Sequence, residues 1–220
     1  LYASGPRLGE ARYEIGRADL DRERSRNVDL GVRWETARVR AQLSAFRNDF
    51  RGFLFIQPTG EVRDGYRIFR YDQADAVLWG GEASLELDPA PALTVGARGD
   101  LVRGTNRARR EPLPLMPPPR ITLQAELHGR WPHGAGRASL AAEAEYVAEP
   151  RLNPLDLPVD DYALLHLGAG WEGETGGRPV QVSVRVRNAT NAAYKDFLSR
   201  YKAFALNPGR DVLVRMRIGF

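Results

Sequence analysis

The feature that most limits what this chain can become is strict two-residue alternation, repeated along its length. Val212, Val214, Met216, Ile218 and Phe220 alternate with Asp211, Leu213, Arg215, Arg217 and Gly219, and Val180, Val182, Val184 and Val186 alternate with Gln181, Ser183, Arg185 and Arg187. A period of two is that of a β-strand, whose successive side chains point to opposite faces, so each run predicts a strand with one apolar and one polar face. The same pattern runs through Ala163 to Trp171, Ala138 to Tyr146, Ile121 to Trp131, Leu93 to Leu101, Val39 to Ala45 and Val28 to Trp34. No comparable run carries helical spacing.

One strand changes parity. Ala74, Ala76 and Leu78 lie on one face and Ala83, Leu85 and Leu87 on the other, which predicts a β-bulge at Trp79-Gly80-Gly81. The spacing predicts about nine strands, at 24–36, 37–50, 72–88, 92–104, 119–131, 136–149, 160–172, 179–189 and 208–220.

The connections alternate in length. Short ones fall at Glu35-Thr36, Asp88 to Pro91, Pro132 to Ala135 and Glu172 to Arg178; long ones fall at 51–71, 105–118, 150–159 and 190–207. Tight turns at one end and long loops at the other describe an all-β, up-and-down antiparallel barrel wall of the transmembrane kind. Trp34, Trp131, Trp171 and Phe220 each close a strand running toward the short-turn end, on its apolar face, as an interfacial girdle would. A soluble β-sandwich would also alternate, but its turns would recur every 8–12 residues, and arginines at mid-strand suit a wide polar lumen better.

Composition sharpens this. No stretch reaches the roughly 18 consecutive apolar residues of a membrane-spanning helix. There is no cysteine, which excludes disulfides and thiolate sites, and only three histidines. Of 32 basic residues only Lys195 and Lys202 are lysine, and the net charge is +4. The arginines are spread over the polar strand faces among Asp29, Asp100, Glu126, Glu143 and Glu145, so they form no nucleic-acid stripe. Leu1 to Pro6 carries no basic n-region or apolar h-region, so an exported protein would have its start upstream.

Catalytic patterns are absent. His128 and His166 face the lumen two strands apart, and His133 sits in a short turn, which argues against a shared metal site. Glu143 and Glu145 share a face with arginines and predict ion pairs rather than an acid–base dyad. Ser139 and Ser183 have no histidine and acid arranged for nucleophilic work. No enzyme activity and no cofactor are expected.

The C-terminal residues carry a family resemblance. Val186-Arg187-Asn188-Ala189-Thr190-Asn191-Ala192-Ala193-Tyr194-Lys195-Asp196-Phe197-Leu198-Ser199, then Asn207-Pro208-Gly209-Arg210, then an alternating strand ending in Phe220, resemble the end of a TonB-dependent outer-membrane receptor. Tyr13-Glu14-Ile15-Gly16 and Leu20 to Gly31 resemble the segment in which an extracellular loop of such receptors returns into a strand.

The resemblance implies that residues 1–220 are the C-terminal part of a presumed 22-stranded barrel whose N-terminal plug and early strands are absent. It also implies Gram-negative outer-membrane localisation, and transport of a scarce nutrient, a siderophore or other metal chelate, by loop capture and plug-gated uptake. The implied partners are the TonB-ExbB-ExbD complex through the missing plug, the barrel-assembly machinery through Phe220, and outer-membrane lipid. In a zinc- or haem-associated subgroup the Gly-Pro turn is followed by histidine. Here Ser4-Gly5-Pro6 is followed by Arg7, which weakens a free-metal substrate. A small self-contained outer-membrane barrel with a structural, adhesive or lipid-modifying role stays open as the alternative.

Under the receptor reading, ligand contacts fall at the long-loop end. Arg7, Tyr13, Glu14, Tyr66, Arg67, Tyr71, Asp161, Tyr162 and Tyr201 combine aromatic faces with charge there, which suits capture of a chelate.

Overall fold

A computed structural model describes residues 4–131 and 136–219. In chain order the strands are β1 (Gly5–Arg7), β2 (Arg12–Ile15), β3 (Arg24–Glu35), β4 (Val39–Arg63), β5 (Tyr66–Ala90), β6 (Leu93–Asn106), β7 (Glu111–Pro112), β8 (Arg120–Arg130), β9 (Arg137–Val147), β10 (Tyr162–Thr175), β11 (Arg178–Arg187) and β12 (Asp211–Ile218). One 3-10 turn, Leu8–Glu10, is the only helical element among the described residues. β3, β4, β5, β6, β8, β9, β10, β11 and β12 pair antiparallel in that order and make a continuous wall. These nine match the strands predicted from the alternation, and among the described residues β3 and β12 are left as its two open edges.

The pairing registers put like faces together. One cross-strand row is Leu127, Leu140, Ala169, Val184 and Val214, another is Val32, Leu43, Ala83 and Gly99. These rows are exposed to the surroundings, with Val32 and Leu43 each at 57%, as expected of a face that meets lipid acyl chains rather than a core. The opposite face is polar: His128, Ser139, Gly170, Ser183 and Arg215 form one row. There the charges compensate one another across strands. Arg98 and Arg185 bracket Glu143 at 3.3 and 3.6 Å, Arg120 meets Asp100 at 3.2 Å, and Arg40 pairs with Glu86. Glu143 is thus an ion-pair partner, and the His166 ring accepts the Asn188 N–H at 3.2 Å. Trp34 and Trp171 lie on the outward face at the short-turn end, paired with Ala41 and Val182. The terminal Phe220 and the turn containing His133 lie outside the described residues.

Two sequence expectations are corrected. First, 51–71 is not an open loop, because β4 and β5 are both 25 residues long and stay paired up to Arg63 and Tyr66. Asp64 and Gly65 close them with φ of 52° and 80°, the pair of left-handed residues that a two-residue hairpin turn needs. β3 pairs with β4 only up to Arg51 and β6 with β5 only as far as Ala76, so nearly half of this hairpin stands above the wall. Second, no bulge occurs at Trp79-Gly80-Gly81, where pairing to Arg47, Phe46 and Ala45 is unbroken; the register shifts lie between Phe50 and Phe53 and between Pro58 and Val62. The parity change has another cause. Ala74, Ala76 and Leu78 are on the inward face, where Ala76 is fully buried opposite Phe50 and Asn106. Next to Leu78 a glycine, Gly104, leaves room for Leu113 and Met116 to fold inward.

Above β6 the raised part of β5 would expose an unpaired edge. β2 covers it, running parallel to β5 with Arg12 opposite Arg67 and Ile15 opposite Arg70, and β1 pairs onto β2 in turn. Among the described residues this is the one parallel pairing in an otherwise antiparallel sheet.

Candidate ligand-capture site

The raised hairpin brings the first loop and the last loop together above the wall. Glu14, only 3% exposed, is the hub. It accepts from Arg7 Nε at 3.2 Å, Arg12 Nε at 2.8 Å and the Tyr71 hydroxyl at 3.2 Å. Burial by itself would raise the pKa of this carboxyl. The guanidinium of Arg12, with the hydrogen bonds of Arg7 and Tyr71, outweighs that and holds it below the usual glutamate value.

Charge then passes outward in a chain. Arg12 reaches Glu10 at 2.6 Å, Glu10 pairs with Arg200 of the β11–β12 loop, and the neighbouring Tyr201 hydroxyl donates to the Gly9 carbonyl at 3.1 Å. Guanidinium groups cover aromatic faces along the same strands: Arg63 lies 4.8 Å from the Tyr13 ring centroid and Arg12 lies 5.3 Å from that of Phe69.

Between these segments is a cavity of about 490 Å³. Tyr66, Arg67 and Phe69 line it from β5, Arg12 and Glu10 from the first loop, and Arg200, Lys202 and Phe204 from the last. Four cations face one carboxylate there. Arg67 is steadied by a 3.2 Å hydrogen bond to the Leu155 carbonyl. Lys202 is 8% exposed, donates to the Phe197 carbonyl at 2.8 Å and lies 3.7 Å from that ring's centroid. Burial pushes its ammonium down to about 8, against the attraction of Asp156 and Asp196 and with the repulsion of Arg67. Asp156 is pushed up by burial, although the Leu115 and Asn153 N–H groups, both at 3.2 Å, stabilise its charged form. An arginine fork beside aromatic rings in a part-desolvated pocket suits an anionic, planar ligand.

Seven of the nine residues singled out from the sequence, Arg7, Tyr13, Glu14, Tyr66, Arg67, Tyr71 and Tyr201, fall in this assembly, as its contacts show. Two lie apart. Asp161 accepts from the Tyr146 hydroxyl at 2.8 Å at the rim, and Tyr162 packs on Tyr194 at 4.6 Å while donating to Asp196 at 3.2 Å. The sequence reading passed over Glu10, Arg12, Arg200, Lys202 and Phe204; the rarity of lysine in so arginine-rich a chain was the one signal for Lys202. No group of three or more histidine, aspartate or glutamate side chains among the described residues could hold a metal ion directly.

Known structures share this fold. The chain resembles the copper transporter OprC, with a TM-score of 0.76, 16% identity, and coverage of 92% of this chain and 32% of that one. It likewise resembles BauA, the ferric preacinetobactin receptor from Acinetobacter baumannii (TM-score 0.68, 18% identity, 89% and 29% covered). The ferripyoverdine receptor of the outer membrane of Pseudomonas aeruginosa matches with a TM-score of 0.65 and 16% identity over 90% of this chain and 27% of that one. The chain therefore spans about a third of the length of these proteins. Residues 1–189 match the family described as TonB dependent receptor-like, β-barrel. The chain accordingly belongs to the TonB-dependent receptor β-barrel family, whose members are outer-membrane proteins of Gram-negative bacteria.

Proposed function

We propose that residues 1–220 form the C-terminal part of the barrel of a receptor that takes up a scarce nutrient as an anionic metal chelate. The cavity between the first loop, the β4–β5 hairpin and the last loop carries this reading: Arg12, Arg67, Arg200 and Lys202 face Glu10 beside Tyr66, Phe69 and Phe204. A chelate with carboxylate or catecholate edges offers an anion to Arg67, whose one hydrogen bond among the described residues goes to the Leu155 carbonyl while Arg12 and Arg200 are already paired with Glu10, and flat surfaces for the rings. Arg7, Tyr13, Glu14 and Tyr71 hold the first loop in place, and Asp161, Tyr162 and Tyr201 act at the rim.

Uptake itself requires the TonB-ExbB-ExbD complex, acting on a plug upstream of these residues. The barrel-assembly machinery recognises the terminal strand through Phe220, and outer-membrane lipid surrounds the wall. Siderophores fit the cavity better than bare metal ions, since no cluster of metal-ligating side chains stands among the described residues.

Binding to the purified full-length receptor tests the ligand class. The iron(III) complex of a tris-catecholate, which is anionic, should bind about tenfold or more tightly than a neutral iron(III) tris-hydroxamate of similar size. Arg67→Gln should remove most of that preference. Equal binding of both complexes, or preference for free Zn2+, would contradict the reading.

A further inference from the structure

The outward face of the wall is apolar over most of its height, but at the loop end of β3–β6 it turns basic. One cross-strand row on this face is Val28, Arg47, Trp79 and Arg103, and the next row up is Arg26, Asp49, Val77 and Thr105. Arg24 and Arg51 pair one row higher, and Arg107 follows β6. Directly below lies the apolar row Leu30, Ala45, Gly81 and Leu101.

Depth follows from counting. A tilted strand crosses the hydrocarbon in 9–11 residues. Counted from the short turns at Glu35, Val39, Asp88 and Leu93, that distance ends near Arg26, Arg47, Trp79 and Arg103. The arginines thus stand where acyl chains give way to headgroups, with Trp79, 46% exposed, as an interfacial anchor among them.

Internal pairing leaves this band positive. Asp49 is shared by Arg47, at 3.1 Å, and Arg107, and Asp75 accepts the Gly52 N–H at 3.0 Å. Arg24, Arg26, Arg51 and Arg103 make no ion pair among the described residues. Adjacent strands lie about 4.8 Å apart, so Arg47 and Arg103 flank Trp79 at a backbone separation of about 10 Å, within reach of two phosphates on one headgroup. Among the described residues β8–β10 carry no such band: the corresponding outward row is Ile121, Tyr146 and Ala163, with the acid Asp161 beside the tyrosine.

We propose that this outward arginine band binds the phosphate groups of an anionic lipid of the surface leaflet, whose acyl chains lie along the apolar rows beneath it. Arginine forks donate paired hydrogen bonds to phosphate oxygens, and the partly desolvated interface strengthens them relative to bulk water. The site is separate from the loop cavity and faces away from the lumen.

The test uses purified full-length receptor in detergent with three probes, diphosphorylated lipid A, its dephosphorylated form and inorganic phosphate, and reads bound lipid by native mass spectrometry. Wild type should retain the diphosphorylated lipid about tenfold more tightly than the dephosphorylated one, more weakly at high salt, and inorganic phosphate should not replace it. Arg47→Gln with Arg103→Gln should lose that margin, whereas Arg98→Gln with Arg185→Gln, on the lumen face, should keep it. Should the band double variant fail to fold, Arg26→Gln and Arg103→Gln singly are each expected to weaken retention several-fold. Equal retention of the two lipids by wild type overturns the proposal. So does unchanged retention in folded band variants, or a site filled by inorganic phosphate alone.

Discussion

The Tyr201 hydroxyl donates to the Gly9 carbonyl at 3.1 Å and so joins residues 192 positions apart in sequence. With the Arg200–Glu10 pair beside it, this contact closes the last loop onto the first, over the cavity. A neutral hydrogen bond of this kind contributes about 0.5–1.5 kcal/mol. Tyr201→Phe should therefore speed protease nicking of the 190–207 loop several-fold in the full-length protein, and leave the heat-modifiable barrel band unchanged. An unaltered nicking rate would mean that the two loops are not coupled through this bond.

The opposed faces of β11 make a sharper test of the wall. Val184 pairs with Ala169 and Val214 on the apolar side, and Ser183 pairs with Gly170 and Arg215 on the polar side. Val184→Arg should cost about 2–4 kcal/mol of barrel stability and Ser183→Arg much less. Equal tolerance at both positions, read by denaturant unfolding in detergent or lipid, would invert or abolish the assignment.

Gly80 is a close-packing position. A Cβ there would collide with the Leu101 carbonyl oxygen and stand 2.8 Å from the Phe46 ring, whereas at Gly31 the nearest atom is 4.0 Å away. Gly80→Ala should destabilise the barrel by about 1–3 kcal/mol, and Gly31→Ala should have little effect. The comparison is made by the same unfolding titration.

Lys202 predicts a pH dependence for the loop assembly. Its folded-state value, about 8, lies below its ordinary 10.5, so between these the unfolded loop binds more protons than the folded one. Loop stability contributed by this group must then rise with pH across that window and stay flat below it. Hydrogen exchange in 197–207, corrected for the intrinsic rate, should show slower opening at pH 10 than at pH 8 in wild type, and no such gain in Lys202→Met.

The wall was legible in the sequence because most of its strands present apolar side chains outward and polar or charged ones to the lumen, so alternation survives over most of the stretch from Val28 to Ile218. The raised hairpin was not. Gly52, Pro58 and Gly60 interrupt its pattern, and the register shifts at Phe50/Phe53 and Pro58/Val62 break the period of two. The Asp64-Gly65 pair, a strong hairpin signal, lay unread inside what looked like a loop. Trp79-Gly80-Gly81 misled for the opposite reason: inward Ala76 and Leu78 are apolar because the 107–119 loop folds over them through Leu113. The aromatic and charged residues near loop ends could be picked out by position, but their association depends on β2 running parallel to β5, a pairing with no local sequence signature.

The most direct measurement of the whole account is uptake by the full-length receptor in an outer-membrane host, with and without a working TonB. The iron(III) tris-catecholate complex and free Zn2+ would be supplied side by side. The account predicts accumulation of the iron complex only when TonB is active, reduced about tenfold by Arg67→Gln at an unchanged level of folded receptor. Accumulation that ignores TonB, or transport of free Zn2+ alone, would contradict it.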